Sequence, residues 1–220
     1  MKVRTPLSLF CALACLAITA GLAAAAPSFY GYTGLVTFPN ADALQDGDYN
    51  VAAFTINLEE GADSTVYAAN LGIIDNLELG FARVRPEEAP GETFINAKYM
   101  FEAETEAHPQ IAAGVIDFTN EVDTTVYVVL SKTFWQKYAS AHGDITSPQV
   151  HLGIGGGQLD GIFGGVSAVI ADRLALMLEY DSEDINWGAR LAVTNEVRVH
   201  FGAFDGLDDI GLGLSFNKHI

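Results

Sequence analysis

Cysteine is scarce in this chain of 220 residues, which has only Cys11 and Cys15. Both lie within the first 25 residues, in a stretch that we predict to be removed from the mature protein. A mature chain without cysteine forms no disulfide bond and no thiolate metal site. Its stability must therefore come from packing and hydrogen bonding alone.

The first 25 residues have the pattern of a secretory leader. Lys2 and Arg4 precede an apolar run from Leu7 to Leu22, and three alanines ending at Ala25 follow it. A basic start, a short apolar run and small residues are typical of a cleaved signal peptide. We therefore predict a signal peptide over residues 1–25. An uncleaved anchor is disfavoured because the run is short for a bilayer span.

Basic residues are also few. The chain has 11 Lys and Arg against 28 Asp and Glu, a formal charge of −17. Without Lys2 and Arg4, nine basic residues face the same 28 acidic ones, giving −19. The electrostatic field of this negative charge repels phosphate groups, which excludes nucleic acid as a partner. The acids cluster between apolar segments, which indicates solvated turns; bridging of divalent cations is the alternative, although no spacing forms a cage.

Beyond residue 25 no apolar run is long enough for a transmembrane helix. Apolar side chains instead recur at every second position, most clearly in four segments between Leu174 and Phe216. Breaks such as Ser182-Glu183 and Asn195-Glu196 separate these segments. A period of two predicts β-strands, and such short connections join only antiparallel neighbours.

The two faces of these strands differ in a way that indicates the class of protein. One face is continuously aliphatic or aromatic, whereas the other mixes glycine and alanine with a few charged groups. A soluble sandwich would instead show a polar outer face. With eight further segments upstream, the pattern predicts an all-β protein, an antiparallel up-and-down transmembrane β-barrel of about 12 strands over residues 48–220.

Two stretches depart from the strand pattern. Residues 26–47 contain Pro39 and several glycines, so we predict an irregular segment that is either a plug in the barrel or a periplasmic leader. The seventh strand is predicted to begin at Gln149, after a long connection from Gln136 to Pro148. That connection should be short, because it lies on the periplasmic side in the predicted topology.

Charged and polar residues on the second face are the candidate site. Alternate positions along each strand face the same side, and this rule, here called parity, places a lumen-lining polar network on the second face. Its members are Glu78, Asn96, Lys98, Glu179, Asp181, Asn186, Arg190, Arg198 and His200. Hairpin geometry predicts Glu179 opposite Asn186, and Arg190 near His200. Such groups cannot face hydrocarbon, so they pair inside the barrel. A network that closes the barrel and a selective or sugar-binding lining both remain open.

Signatures of catalysis are missing. The five histidines are scattered without metal-ligand spacing, no serine sits in a nucleophile elbow, and the glycine-rich Gly153–Gly157 lies in a strand rather than before a helix. We therefore predict no catalytic residue, no metal site and no cofactor.

Short motifs along the mature chain resemble one family. They are Gly31-Tyr32-Thr33-Gly34-Leu35, Asn70-Leu71-Gly72, Asn96-Ala97-Lys98-Tyr99, Gly161-Ile162-Phe163-Gly164-Gly165 and Asn186-Trp187-Gly188. The residues of these motifs, and the order of the motifs along the chain, are similar to those in the YjbH family of outer-membrane proteins. The resemblance implies a β-barrel linked to exopolysaccharide production, although family members are usually longer.

These observations together predict a non-enzymatic barrel in the outer membrane of a Gram-negative cell, which assists exopolysaccharide production or secretion. Its expected partners are outer-membrane lipid, secretion components and, through the terminal stretch Asp209–Phe216, the outer-membrane assembly machinery. Two alternatives stay open. One is a soluble periplasmic ligand-binding barrel, and the other is an outer-membrane barrel hydrolase.

Overall fold

A computed structural model describes residues 25–59, 62–134 and 145–220. Apart from Ala25, the predicted signal peptide lies outside the described residues. Within them, twelve strands form one closed barrel in which each strand pairs with the next and the last pairs with the first. Every pairing is antiparallel. The predicted fold class is confirmed.

The strands are β1 (Asp48–Asn57), β2 (Ser64–Ile74), β3 (Leu77–Pro86), β4 (Glu92–Glu102), β5 (Gln110–Ile116), β6 (Thr125–Thr133), β7 (Ile145–Gly155), β8 (Gly161–Ile170), β9 (Leu174–Tyr180), β10 (Ile185–Ala192), β11 (Val197–Phe204) and β12 (Asp209–His219). Two single-turn 3₁₀ helices, Gly157–Leu159 and Asp205–Leu207, follow β7 and β11.

The alternation in sequence becomes an alternation between the outside and the inside of the barrel. Leu176, Leu212 and Leu214 face outward and are 42%, 53% and 56% exposed. Outward aromatic side chains such as Phe81 and Trp187 are also exposed. The polar positions of the same strands are buried, so the apolar face points away from the barrel axis, as the sequence predicts.

The two ends of the barrel differ in their connections. The termini end holds the start of β1, the end of β12 and short turns such as residues 75–76 and 171–173. The opposite end, called the loop end, holds the connections of residues 87–91 and 117–124.

The predicted start of β7 is wrong, because the strand begins at Ile145, four residues before Gln149. A shift in register between Thr146 and Gln149 accommodates Pro148, which has no N–H to donate. The connection is therefore shorter than predicted, and its residues 135–144 lie outside the described part.

A buried carboxylate organises the β5–β6 loop. Asp117 has left-handed backbone (φ 54°) and its side chain is fully buried. Its carboxylate accepts hydrogen bonds from the N–H groups of Glu121, Val122 and Asp123 at 2.7–3.0 Å and from the Thr119 hydroxyl at 3.0 Å. Burial by itself raises the pKa of Asp117, but these donors outweigh burial and hold the pKa below its ordinary value.

We expect Asp117→Ala to destabilise the protein by about 2 kcal/mol at neutral pH, because three loop N–H groups lose a charged acceptor. The pKa of Asp117 is lower in the folded protein than in the unfolded chain, where it is about 3.9. The ionised carboxylate therefore stabilises the folded protein above about pH 3.9, and this stabilisation is lost as the pH falls through the lower pKa of the folded state. The difference in melting temperature between wild type and variant should therefore shrink from pH 7 to pH 3. An equal difference at both pH values would contradict this role.

Among the residues that the structure describes, no helix is long and apolar enough to cross a membrane.

Candidate functional site: the occupied barrel interior

Residues 26–44, here called the interior segment, fill the space inside the barrel. All of them are buried except Tyr30 and the half-buried Asp42. The segment folds on itself without a helix or a strand, through backbone hydrogen bonds such as Phe29 N to Val36 O at 2.9 Å and Leu35 N to Phe38 O at 2.9 Å. Because it lacks regular structure, its remaining backbone polar groups need partners from the barrel wall.

Glu179 on β9 supplies acceptors on one side of the wall. Its carboxylate accepts hydrogen bonds from the N–H groups of Val36 at 2.9 Å and Thr37 at 2.6 Å, and from the Thr37 hydroxyl at 2.5 Å. Asn186 on β10, which pairs with Glu179 across the hairpin, lies 3.3 Å from the same hydroxyl. Asp181 receives 2.7 and 3.1 Å hydrogen bonds from Asn186 and Thr37. One turn of the segment is thereby fixed to the β9–β10 hairpin.

Glu78 on β3 does the same on another side. It accepts hydrogen bonds from the Thr33 hydroxyl at 2.5 and 2.7 Å and from Leu44 N at 3.1 Å. Lys98 on β4 lies 3.8 Å from the Glu78 carboxylate and donates to both the carbonyl and the hydroxyl of Thr33. A buried ion pair of this kind is favourable only when hydrogen bonds satisfy its remaining donors and acceptors. The interior segment provides these.

Arg190 on β10 binds the carbonyl groups of the segment. Its Nη2 lies 3.2 Å from the carbonyl oxygens of Pro27, Gly34 and Leu35. Its Nε donates to His200 Nδ1 at 3.3 Å, so that nitrogen is an acceptor and the opposite nitrogen, Nε2, carries the proton. One guanidinium therefore joins three points of the segment.

Neutral side chains complete the attachment. Asn70 donates to the carbonyl of Gly31 at 2.8 Å, and Gln110 donates to the carbonyl of Ala41 at 3.0 Å. The Ser131 hydroxyl accepts the N–H of Ala41 at 3.0 Å. Together, the charged and neutral residues that bind the segment come from β2 to β6, β9 and β10. Strands around most of the barrel wall therefore form hydrogen bonds with the segment.

Aromatic packing fills the remaining space. The Phe29 ring lies 4.8 Å from that of Phe54 and 5.1 Å from that of Phe204, and Phe38 lies 5.1 Å from Phe163. These rings belong to the buried apolar core of the barrel. The interior is therefore packed rather than open at the level of the segment.

Gly188 on β10 leaves room for this packing. A Cβ atom there would lie 2.5 Å from Val36 Cγ2 and 3.0 Å from Met177 Cε. We expect Gly188→Ala to destabilise the protein by about 1–2 kcal/mol, because the branched Val36 cannot move aside easily. Gly156→Ala is the control, since a Cβ at that position meets nothing within 4 Å. Equal melting temperatures for the two variants would contradict the tight seating of the segment.

The structure brings most of the predicted site residues together. All nine are buried or, for Asp181, half-buried. Six pair with the interior segment: Glu78, Lys98, Glu179, Asp181, Asn186 and Arg190. His200 supports Arg190 instead, and Asn96 accepts the N–H of Asp117 at 2.9 Å. Arg198 lies apart, near the termini end.

Several interior polar residues were not predicted: Asn50, Asn70, Gln110, Ser131 and His151. Each lies on the inward face of its strand, so the same parity that selected Glu78 would have selected them. The residues of the segment itself, above all Thr33 and Thr37, carry no periodic signal.

His151 lies between two hydroxyls, with Ser131 Oγ 2.8 Å from Nδ1 and Ser167 Oγ 3.0 Å from Nε2. Among the described residues, no carboxylate is hydrogen-bonded to His151 as in a catalytic triad. Ser131 is also engaged by the interior segment. In the described ranges no group of three or more His, Cys, Asp or Glu side chains is placed to hold a metal ion.

Two solved structures share this architecture. One is a KdgM porin, with a TM-score of 0.57, 9% identity, and coverage of 77% of this chain and 99% of that one. The other is a KdgM porin in complex with disordered oligogalacturonate, with a TM-score of 0.52, 10% identity and the same coverage. A closed barrel with an apolar outside and charged groups inside defines the fold class: the chain is an antiparallel β-barrel with the fold of these two structures.

The family follows from the sequence match. The model of the YjbH family, described as exopolysaccharide biosynthesis protein YbjH, matches residues 26–215. The chain belongs to this family. No curated protein matches it significantly.

Proposed function

We propose that this protein is a non-enzymatic outer-membrane β-barrel, closed by its own N-terminal segment, which assists exopolysaccharide production or secretion. The observation that carries the proposal is the combination of an apolar outward face with an interior whose charged groups are occupied by the segment. Residues 1–25, as a signal peptide that is cleaved after export, would direct the chain to the periplasm.

The outward face supports insertion into lipid. Side chains such as Leu176 and Leu214 are exposed around a barrel whose strands satisfy one another's backbone groups without an open edge. Closed barrels and helices are the structures that cross bilayers, because backbone groups find no partner in hydrocarbon. A soluble ligand-binding barrel would keep polar side chains outside. We further propose that Asp209–Phe216, within the strand that closes the barrel on β1, is the stretch read by the assembly machinery.

The occupied interior supports a role other than free diffusion. A hydrated sugar polymer cannot pass while buried Glu78, Glu179 and Arg190 bind the segment. We infer that this protein either acts with the segment in place, as a component of a secretion assembly, or opens only when the segment is displaced. The exopolysaccharide role rests on the family, and a structural neighbour solved with oligogalacturonate is consistent with a sugar partner.

Fractionation of a Gram-negative host tests the location. The protein should be recovered in the outer-membrane fraction and should migrate faster on a gel before boiling than after it, as a folded barrel does. Deletion of the gene in the source organism should reduce exopolysaccharide without loss of polymer-synthesising activity in extracts. Recovery in the soluble fraction without detergent would contradict the proposal.

A further inference from the structure

Arg198 on β11 is a buried cation that has no anionic partner among the described residues. Its side chain is 3% exposed, and Nε and Nη1 have no hydrogen-bond partner among the described residues. A guanidinium stays charged and carries five N–H donors. Burying such a group without a partner is costly, so an unpaired arginine indicates that something from outside the chain completes it.

Arg198 lines a cavity at the termini end. The cavity has a volume of about 170 Å³ and is also bounded by Ala25, Leu44, Asn217 and Lys218. This space is many times the minimum that one water needs. Lys218 pairs with Tyr49 on the outward face of the barrel and is exposed, so Arg198 supplies the buried positive charge of the cavity.

Asp48 is the carboxylate among the described residues that line the cavity, and it is already engaged. It lies 2.8 Å from His219 Nδ1 and accepts the N–H of Gln45 at 3.3 Å. Within the described part of the chain, Arg198 forms no ion pair with it. The positive charge of Arg198 is therefore available to a ligand.

Asn217 adds a second feature to the cavity. Its amide nitrogen faces Ser215 Oγ at 3.1 Å and the carbonyl of Glu196 at 3.5 Å, which fixes the orientation of the amide. The amide oxygen is buried and has no partner among the described residues. A buried acceptor beside a buried cation suits a ligand that carries both a hydroxyl donor and a negative charge.

We propose that this cavity binds a sugar acid. The carboxylate pairs with Arg198, and a neighbouring hydroxyl donates to Asn217. The volume is sufficient for one charged sugar unit. That the unit belongs to an exopolysaccharide rests on the proposed function; the binding of a hydroxylated anion does not.

The cavity is connected to the interior segment. Ser215 accepts from Asn217 and lies 2.8 Å from His200 Nε2, and His200 in turn accepts from Arg190, which binds the segment. Leu44, the last residue of the segment, forms part of the cavity wall, next to Ala25, the last residue of the predicted signal peptide. A bound ligand therefore lies beside the position where the segment leaves the barrel.

Calorimetric titration of the purified barrel in detergent tests the proposal, with glucuronate, glucose and inorganic phosphate as probes. Glucuronate should bind saturably and at least about tenfold more tightly than glucose, because only glucuronate carries the anion. Arg198→Gln should weaken glucuronate binding by about tenfold or more, since it removes the buried charge. Arg173→Gln removes an exposed charge from a turn at the same end and should change binding by less than about twofold.

Several results would overturn the assignment. They are absence of saturable glucuronate binding, equal affinity for glucose, or equal losses in the two variants. Phosphate binding in place of glucuronate would show an anion site but contradict the sugar acid. If Arg198→Gln does not fold, Asn217→Ala, which removes the acceptor for the sugar hydroxyl, should weaken binding by about threefold or more, and unchanged binding would count against the site.

Failure here is separate from failure of the proposed function. A barrel in the outer membrane that binds no glucuronate would refute this site alone. A soluble protein that binds glucuronate would refute the membrane role alone.

Discussion

Glu179→Ala is expected to loosen the interior segment and to destabilise the folded barrel by about 3 kcal/mol, because two backbone N–H groups and one hydroxyl lose a buried acceptor. These donors belong to Val36 and Thr37, which lie more than 140 positions away in sequence. An alanine cannot replace the acceptor, and the packed interior leaves little room for water to do so. The midpoint of urea unfolding in detergent measures the loss.

Glu183→Ala is the matched control for this variant. Glu183 lies in the turn of the same hairpin and is exposed. Removing the same carboxylate there should change stability by less than about 0.5 kcal/mol. If the two variants unfold at the same urea concentration, the segment is not held by Glu179 and the described interior is wrong.

Deletion of residues 26–44 is expected to turn a closed barrel into a conducting one. With the segment gone, Glu78, Lys98, Glu179 and Arg190 would face an interior that water can enter, and their charges would favour its hydration. In planar bilayers the wild type should show few channel openings, whereas the deletion variant should show conductance at least about tenfold higher.

The gel shift on heating provides the folding control for this deletion. Only protein that migrates as a folded barrel should be compared with wild type. Conductance of the wild type equal to that of the folded deletion variant would mean that the segment does not close the barrel. Glu179→Ala, which loosens the segment without removing it, should give occasional openings.

The barrel was predictable because its signal is local. Alternation in stretches such as Leu174–Tyr180 shows the strand, and the chemistry of the two faces shows which one points outward. Parity alone also placed Glu78, Glu179 and Arg190 on the inside. The hairpin geometry that predicted Glu179 beside Asn186 follows from the short turn between their strands.

The interior segment was not predictable in the same way. Its structure depends on partners that are distant in sequence, such as Glu179 for Thr37 and Arg190 for Pro27. Pro39 and the glycines showed only that the segment is irregular, a property shared by a plug and by a leader outside the barrel. The start of β7 was missed because Pro148 was interpreted as the end of a loop, whereas a bulge accommodates it within the strand.

Amide hydrogen exchange at Val36 and Thr37 is the most direct test of the account, since it reports whether the segment sits inside the barrel in the intact protein. Both N–H groups donate to a buried carboxylate, so we predict that they exchange as slowly as the amides of β9 and β10. Exchange of these two amides within the dead time of the experiment, with the strands still protected, would show that the segment lies outside the barrel.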